Sequence, residues 1–176
     1  MHALIVGDRG VGKSTLIRRI LQALDRPVFG FETKKEACSH AEQPGKPIYI
    51  YEAGQPHVQT EENLAGYCDQ QLLEVRTEVF DRFAPKLHGP FPHGSLILLD
   101  ELGVMEASSQ SFCDAVLSLL DGAAPVIAAV KHKNTPFLER VRSHPNCRCF
   151  YITEENRDVL YGEVLSFIQD QLPAAP

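Results

Sequence analysis

The chain has 176 residues, 44% of them hydrophobic and 23% charged, with a formal net charge of −6. That length suits one domain with a real core, and the composition excludes bulk disorder. No apolar run reaches the roughly 18 residues of a membrane span, and an acidic balance without a Lys/Arg-rich block disfavours a dedicated nucleic-acid binder.

Met1–Val6 lacks the basic lead-in of a secretory leader. The five cysteines, at 38, 68, 113, 147 and 149, are odd in number and scattered, which argues against a disulfide framework. Reduced thiols and a cytoplasmic location are expected.

Short apolar runs alternate with helical periodicity, the pattern of a parallel sheet with crossover helices. His2–Val6 reads as a strand, and Lys13–Leu24 as a helix with Leu16, Ile17, Ile20, Leu21 and Leu24 on one face. Val28–Thr33 and Pro47–Glu52 read as strands joined by a polar stretch, so 35–67 is expected to hold a hairpin or loop insertion. Gly54, Pro56 and Gly66 leave 53–67 unassigned. Asp69–Phe83 reads as a helix on the spacing of Leu72, Leu73, Val79, Phe80 and Phe83, followed by an irregular loop Pro85–Gly94. Then come strand Leu96–Asp100, helix Ser109–Leu120, strand Val126–Val130, helix Pro136–Arg142, strand Cys147–Ile152 and a helix over Glu155–Gln171. The whole of 1–176 is expected to form a single domain, with 173–176 a loose tail.

Gly7-Asp8-Arg9-Gly10-Val11-Gly12-Lys13-Ser14, followed by Thr15, fits G-x-x-x-x-G-K-[ST]. The glycines permit a tight loop whose N–H groups surround a phosphate, and a helix beginning at Lys13 adds its positive end there. Lys13 can reach the β- and γ-phosphates, and the Ser14 hydroxyl can bind Mg²⁺. A chance match in a chain this long is roughly one in a hundred or less. The motif also lies between a predicted strand and a predicted helix. Residues 7–15 are therefore the expected nucleotide-binding loop.

Leu96–Leu99 leads into Asp100 and Glu101. At the end of a buried strand, Asp100 is placed to hold Mg²⁺ with Ser14, and Glu101 to take a proton from a water attacking the γ-phosphate. Asp100–Gly103 also fits the D-x-x-G of regulatory GTPases, but Val130-Lys131-His132-Lys133-Asn134 contains no N-K-x-D, so a guanine switch is disfavoured. No L-S-G-G-Q stretch marks an ABC subunit. A nucleotide or polynucleotide kinase shares the loop and the size. Arg140, Arg142 and Arg148 could serve as its lid, although the helix carrying the first two is short.

These residues resemble the small nucleoside-triphosphatases first recognised in thermophiles, the cancer-related nucleoside-triphosphatase family. The likeness rests on Gly7–Ile17, on Val28–Thr33 as a G-F-x-T strand, on Leu99-Asp100-Glu101-Leu102-Gly103-Val104-Met105-Glu106, and on Phe112 and Thr153–Asp158. It is thin between about 35 and 90. Where the family pattern has an acid and a downstream arginine after G-F-x-T, this chain reads Lys34-Lys35-Glu36-Ala37. The resemblance implies a three-layer, mainly parallel, RecA-like α/β sheet with an extra strand between the loop strand and the Asp100 strand. It also implies Mg²⁺-dependent hydrolysis of nucleoside triphosphates with weak base selectivity.

Two roles fit Glu106, support of the catalytic loop or capping of the next helix. Two also fit Arg157, transition-state charge or a surface position. Cys147 and Cys149 share a strand face and read as packing, and His88 and His93 as surface residues. Lys131, His132 and Lys133 follow a strand and could line a base pocket. A nucleotide-switched binding module is the non-catalytic alternative.

Overall fold

A computed structural model describes residues 1–37 and 45–173. In chain order its elements are β1 (His2–Gly7), α1 (Lys13–Leu24), β2 (Val28–Lys35), β3 (Lys46–Glu52), β4 (Leu64–Cys68), β5 (Leu72–Val75) and α2 (Thr77–Phe83). These are followed by β6 (Leu96–Leu102), α3 (Gln110–Asp121), β7 (Val126–Lys131), α4 (Pro136–Arg142), β8 (Cys147–Tyr151) and α5 (Arg157–Gln169). The polar stretch after β2, Cys38 within it, and most of the tail fall outside the described residues.

The strands form one sheet in the order β5-β4-β3-β2-β6-β7-β1-β8. Pairing is parallel from β2 through β6, β7 and β1 to β8, and antiparallel among β2, β3, β4 and β5. β7 thus lies between β1 and β6, as the resemblance implies. The parallel strands are apolar runs because helices cover both faces. On one face Leu16, Ile17 and Ile20 of α1 and Leu160, Val164 and Ile168 of α5 pack on Ala3, Ile5, Leu98 and Ile127. On the other, α2 and α3 set Phe80, Phe83 and Phe112 against Phe31, with the Phe31 and Phe112 rings 5.1 Å apart.

The helix expected over Asp69–Phe83 is corrected in its first half. Leu72–Val75 is the edge strand β5, and α2 begins only at Thr77. The apolar spacing misleads because Leu72 and Leu73 are 39% and 45% exposed and share no buried face with Val79 and Phe80. Gly66 lets β5 come close, since a Cβ there would stand 2.1 Å from the Glu74 carbonyl oxygen. The unassigned 53–67 contains most of β4, whose Leu64 and Ala65 are buried.

Candidate active site

β1 ends buried at Gly7 and α1 starts at Lys13, so the intervening loop delivers the chain to a helix N-terminus. Gly10 and Gly12 have φ of +86° and +103°, where a side chain would be strained. The first turn of α1 has no side-chain cap and no acidic residue. By contrast, the Ser109 and Thr135 hydroxyls cap α3 and α4. The free N–H groups of α1 therefore face the loop, the arrangement that receives an anion. Asp8, Arg9, Gly10 and Thr15 are exposed, and Val11 and Ser14 half-buried.

Lys13 is 4% exposed and donates to the Gly7 and Asp8 carbonyls at 2.9 and 2.8 Å. Its ammonium is also 3.0 Å from Glu101 Oε2. Ser14 Oγ donates to Asp100 Oδ1 at 2.9 Å. The four residues singled out from the two motifs thus meet at one point. β6 bulges between Asp100 and Leu102, leaving Glu101 as the extra residue. A bulge re-aims the side chain it carries. Here it brings consecutive carboxylates to different partners, Asp100 to α1 and Glu101 to the two lysines Lys13 and Lys131.

Burial pushes the Asp100 carboxyl above the ordinary range, against the pull of Lys34 and Ser14. Among the described residues no group of three His, Cys, Asp or Glu is placed to hold a metal. One carboxylate beside one hydroxyl is nevertheless a donor set that suits Mg²⁺, which keeps waters and takes substrate phosphates as further oxygen ligands. The residues fit the ion.

Several contributors were missed in the sequence. The Thr33 hydroxyl accepts the Glu101 N–H at 3.2 Å and donates to the Asp100 carbonyl at 3.4 Å, tying β2 to the acids. Lys34 Nζ stands 3.6 Å from Asp100 Oδ2. Lys131, considered for a base pocket, instead places its ammonium 3.0 Å from Glu101 Oε1. Burial opposes the Lys131 charge, but Glu101 and Glu106 outweigh it and raise its pKa. No sequence spacing links these strands; only the β2–β6–β7 pairing does.

Glu106 is buried, and its Oε2 accepts the Gly103 N–H at 2.9 Å. It does not cap α3, because Ser109 does. Arg157 lies close to the loop, its guanidinium 3.7 Å from where a Gly12 Cβ would be. Asn156 is a turn residue, accepting the Thr153 N–H at 2.8 Å. Cys147 and Cys149 are half-buried, and burial pushes the Cys147 thiol up to about 12.

The site opens into a cleft of about 550 Å³. Gly7–Arg9, Ser14, Asp100, Glu101, His132 and Lys133 line it, together with the β4–β5 turn from Cys68 to Leu72. That size is in the range of small-molecule sites.

A phosphate loop before α1, acids at the end of β6 and a strand between them define a P-loop NTPase. A family model described as NTPase matches residues 2–165, and the chain belongs to that family. It is 31% identical over 166 residues to the nucleoside-triphosphatase THEP1 of Thermotoga petrophila, spanning 94% of this chain and 91% of that protein. A cancer-related nucleoside-triphosphatase homolog of Mus musculus is 27% identical over 184 residues, 96% of each chain. Among solved structures, THEP1 from Aquifex aeolicus superposes with TM-score 0.68 at 25% identity, covering 96% of this chain and 99% of that one. A human cancer-related nucleoside triphosphatase gives 0.67 at 23% identity, covering 96% and 97%, and supports the fold.

Proposed function

We propose that this protein, acting as one P-loop domain, hydrolyses nucleoside triphosphates at the γ-phosphate with Mg²⁺ and weak base selectivity. Membership of the NTPase family makes it a nucleotide-dependent hydrolase. The observation that carries the finer reading is the meeting of Ser14, Asp100 and Glu101 on the wall of the cleft, with the buried Lys13 ammonium against Glu101.

Gly7, Asp8, Arg9, Gly10, Val11, Gly12 and Thr15 form and flank the loop whose amides cradle the phosphates. Lys13 leaves Glu101 for the phosphate oxygens, and one carboxylate oxygen of Glu101 is thereby freed. Glu101 takes the proton of a water as that water's oxygen bonds to the γ-phosphorus and the bond to the bridging oxygen breaks. Ser14 and Asp100 would hold the metal, which supplies charge neutralisation at the phosphate oxygens. Lys131 keeps Glu101 aimed throughout. The unpaired thiols of the described cysteines fit a reducing compartment, and we place the protein in the cytoplasm.

The test is phosphate release by purified protein with each common triphosphate, in Mg²⁺ and in EDTA. Comparable release from all of them, abolished by EDTA, is expected; no release from any would overturn the reading. Because Cys68–Leu72 line the cleft along with the acids, candidate phosphoryl acceptors belong in the same assay. A phosphorylated acceptor formed at the expense of free phosphate would establish a kinase instead.

A further inference from the structure

Lys34 reaches the site from the end of β2. The parallel register sets Glu32 opposite Asp100, and residues two apart on a strand share a face, so Glu32 and Lys34 project together. The Lys34 ammonium lies 2.6 Å from Glu32 Oε2 and 3.6 Å from Asp100 Oδ2. Asp100 therefore carries the Ser14 hydroxyl on one oxygen and a lysine cation beside the other. A buried carboxylate needs such a counter-charge, and Asp100 is 5% exposed.

A divalent cation held through Asp100 needs the same negative charge, and two cations at one carboxylate repel each other. Glu32 gives the displaced ammonium a place to remain. It is already in contact, and the His57 ring, stacked on Tyr51 at 4.1 Å, lies beside it with Nε2 3.8 Å from the same oxygen.

We propose that Lys34 is a tethered competitor of the metal: a cation that neutralises Asp100 in the nucleotide-free protein and yields to the divalent ion by withdrawing onto Glu32. It acts through Asp100 and is a positioning residue. The metal then enters chiefly as its triphosphate complex, whose negative charge compensates both cations, and the empty enzyme has low affinity for the free ion. This inference rests on the assignment of Ser14 and Asp100 to the metal.

The experiment is a Mn²⁺ titration of nucleotide-free protein, read by the electron paramagnetic resonance of unbound Mn²⁺. Lys34→Met should bind Mn²⁺ about threefold to tenfold more tightly than wild type, the range of a partly buried ion pair. Lys34→Gln should shift it in the same direction, and Lys34→Arg, which keeps the charge, should match wild type. Asp100→Asn should weaken binding, and adding Lys34→Met to it should then change nothing further. Equal or weaker binding by Lys34→Met and Lys34→Gln, with Asp100→Asn still weakening it, overturns the role of Lys34 and leaves the metal assignment standing. Unchanged binding by Asp100→Asn overturns the metal assignment, and this inference with it.

Discussion

Glu101 is held by a lysine on each oxygen, Lys13 and Lys131, both at 3.0 Å. Glu101→Gln should retain nucleotide binding while phosphate release falls about tenfold to a hundredfold, the range of a general base; undiminished multiple turnover would remove Glu101 from that role. Glu106 makes a different kind of prediction. Burial pushes its pKa up to about 7. The folded protein thus binds a proton that the unfolded chain has released, so the stabilisation is complete below the ordinary glutamate range and is lost as pH rises through about 7. Glu106→Gln abolishes that loss. Between about pH 5 and about pH 8 its stability to urea should decline less than that of wild type, by roughly 2–4 kcal/mol, and parallel declines would show that Glu106 does not titrate there. At this scale Lys13, Ser14, Asp100 and Glu101 were legible because each stands in a contiguous motif. Thr33, Lys34 and Lys131 were not, because what makes them partners is strand pairing rather than spacing.

Among elements, α1, α3 and α4 announce themselves through apolar periodicity and, for α3 and α4, a hydroxyl cap, and each lies within a residue of its expected bounds. The segment 69–76 misled because an edge strand with exposed leucines mimics a helix face when only apolar spacing is read. β2 is the element whose placement the site depends on. At Gly30 the φ is +105° and an added Cβ would stand 2.1 Å from the Leu98 carbonyl oxygen, so only glycine lets β2 lie this close to β6. Gly30→Ala must push the strands apart, carrying Thr33 and Lys34 away from Asp100. A loss of about 3 kcal/mol in urea unfolding is expected, together with reduced phosphate release. A variant of wild-type stability and activity would show that β2 can shift at no cost.

For the whole molecule, a net charge of −6 is compatible with a triphosphate site because positive charge is concentrated at one end of the sheet by Lys13, Lys131 and the uncapped start of α1. Since the site is built from β1, α1, β2, β6 and β7, a bound nucleotide would brace four adjacent inner strands of the sheet. At a hundredfold excess over its Kd, a non-hydrolysable triphosphate with Mg²⁺ should add about 2.7 kcal/mol and raise Tm by roughly 5–10 °C. Lys13→Ala should erase the shift, measured by thermal unfolding; an undiminished shift would place the nucleotide elsewhere. The strand order carries one more consequence, for how the protein is made. β3, β4 and β5 pair with near neighbours in the chain, but among the described residues the phosphate-loop strand β1 pairs only with β7 and β8, at 126–131 and 147–151. Contacts so distant in sequence form slowly. During synthesis β1 must wait, unpaired and apolar, at least until β7 has been made, more than a hundred residues later.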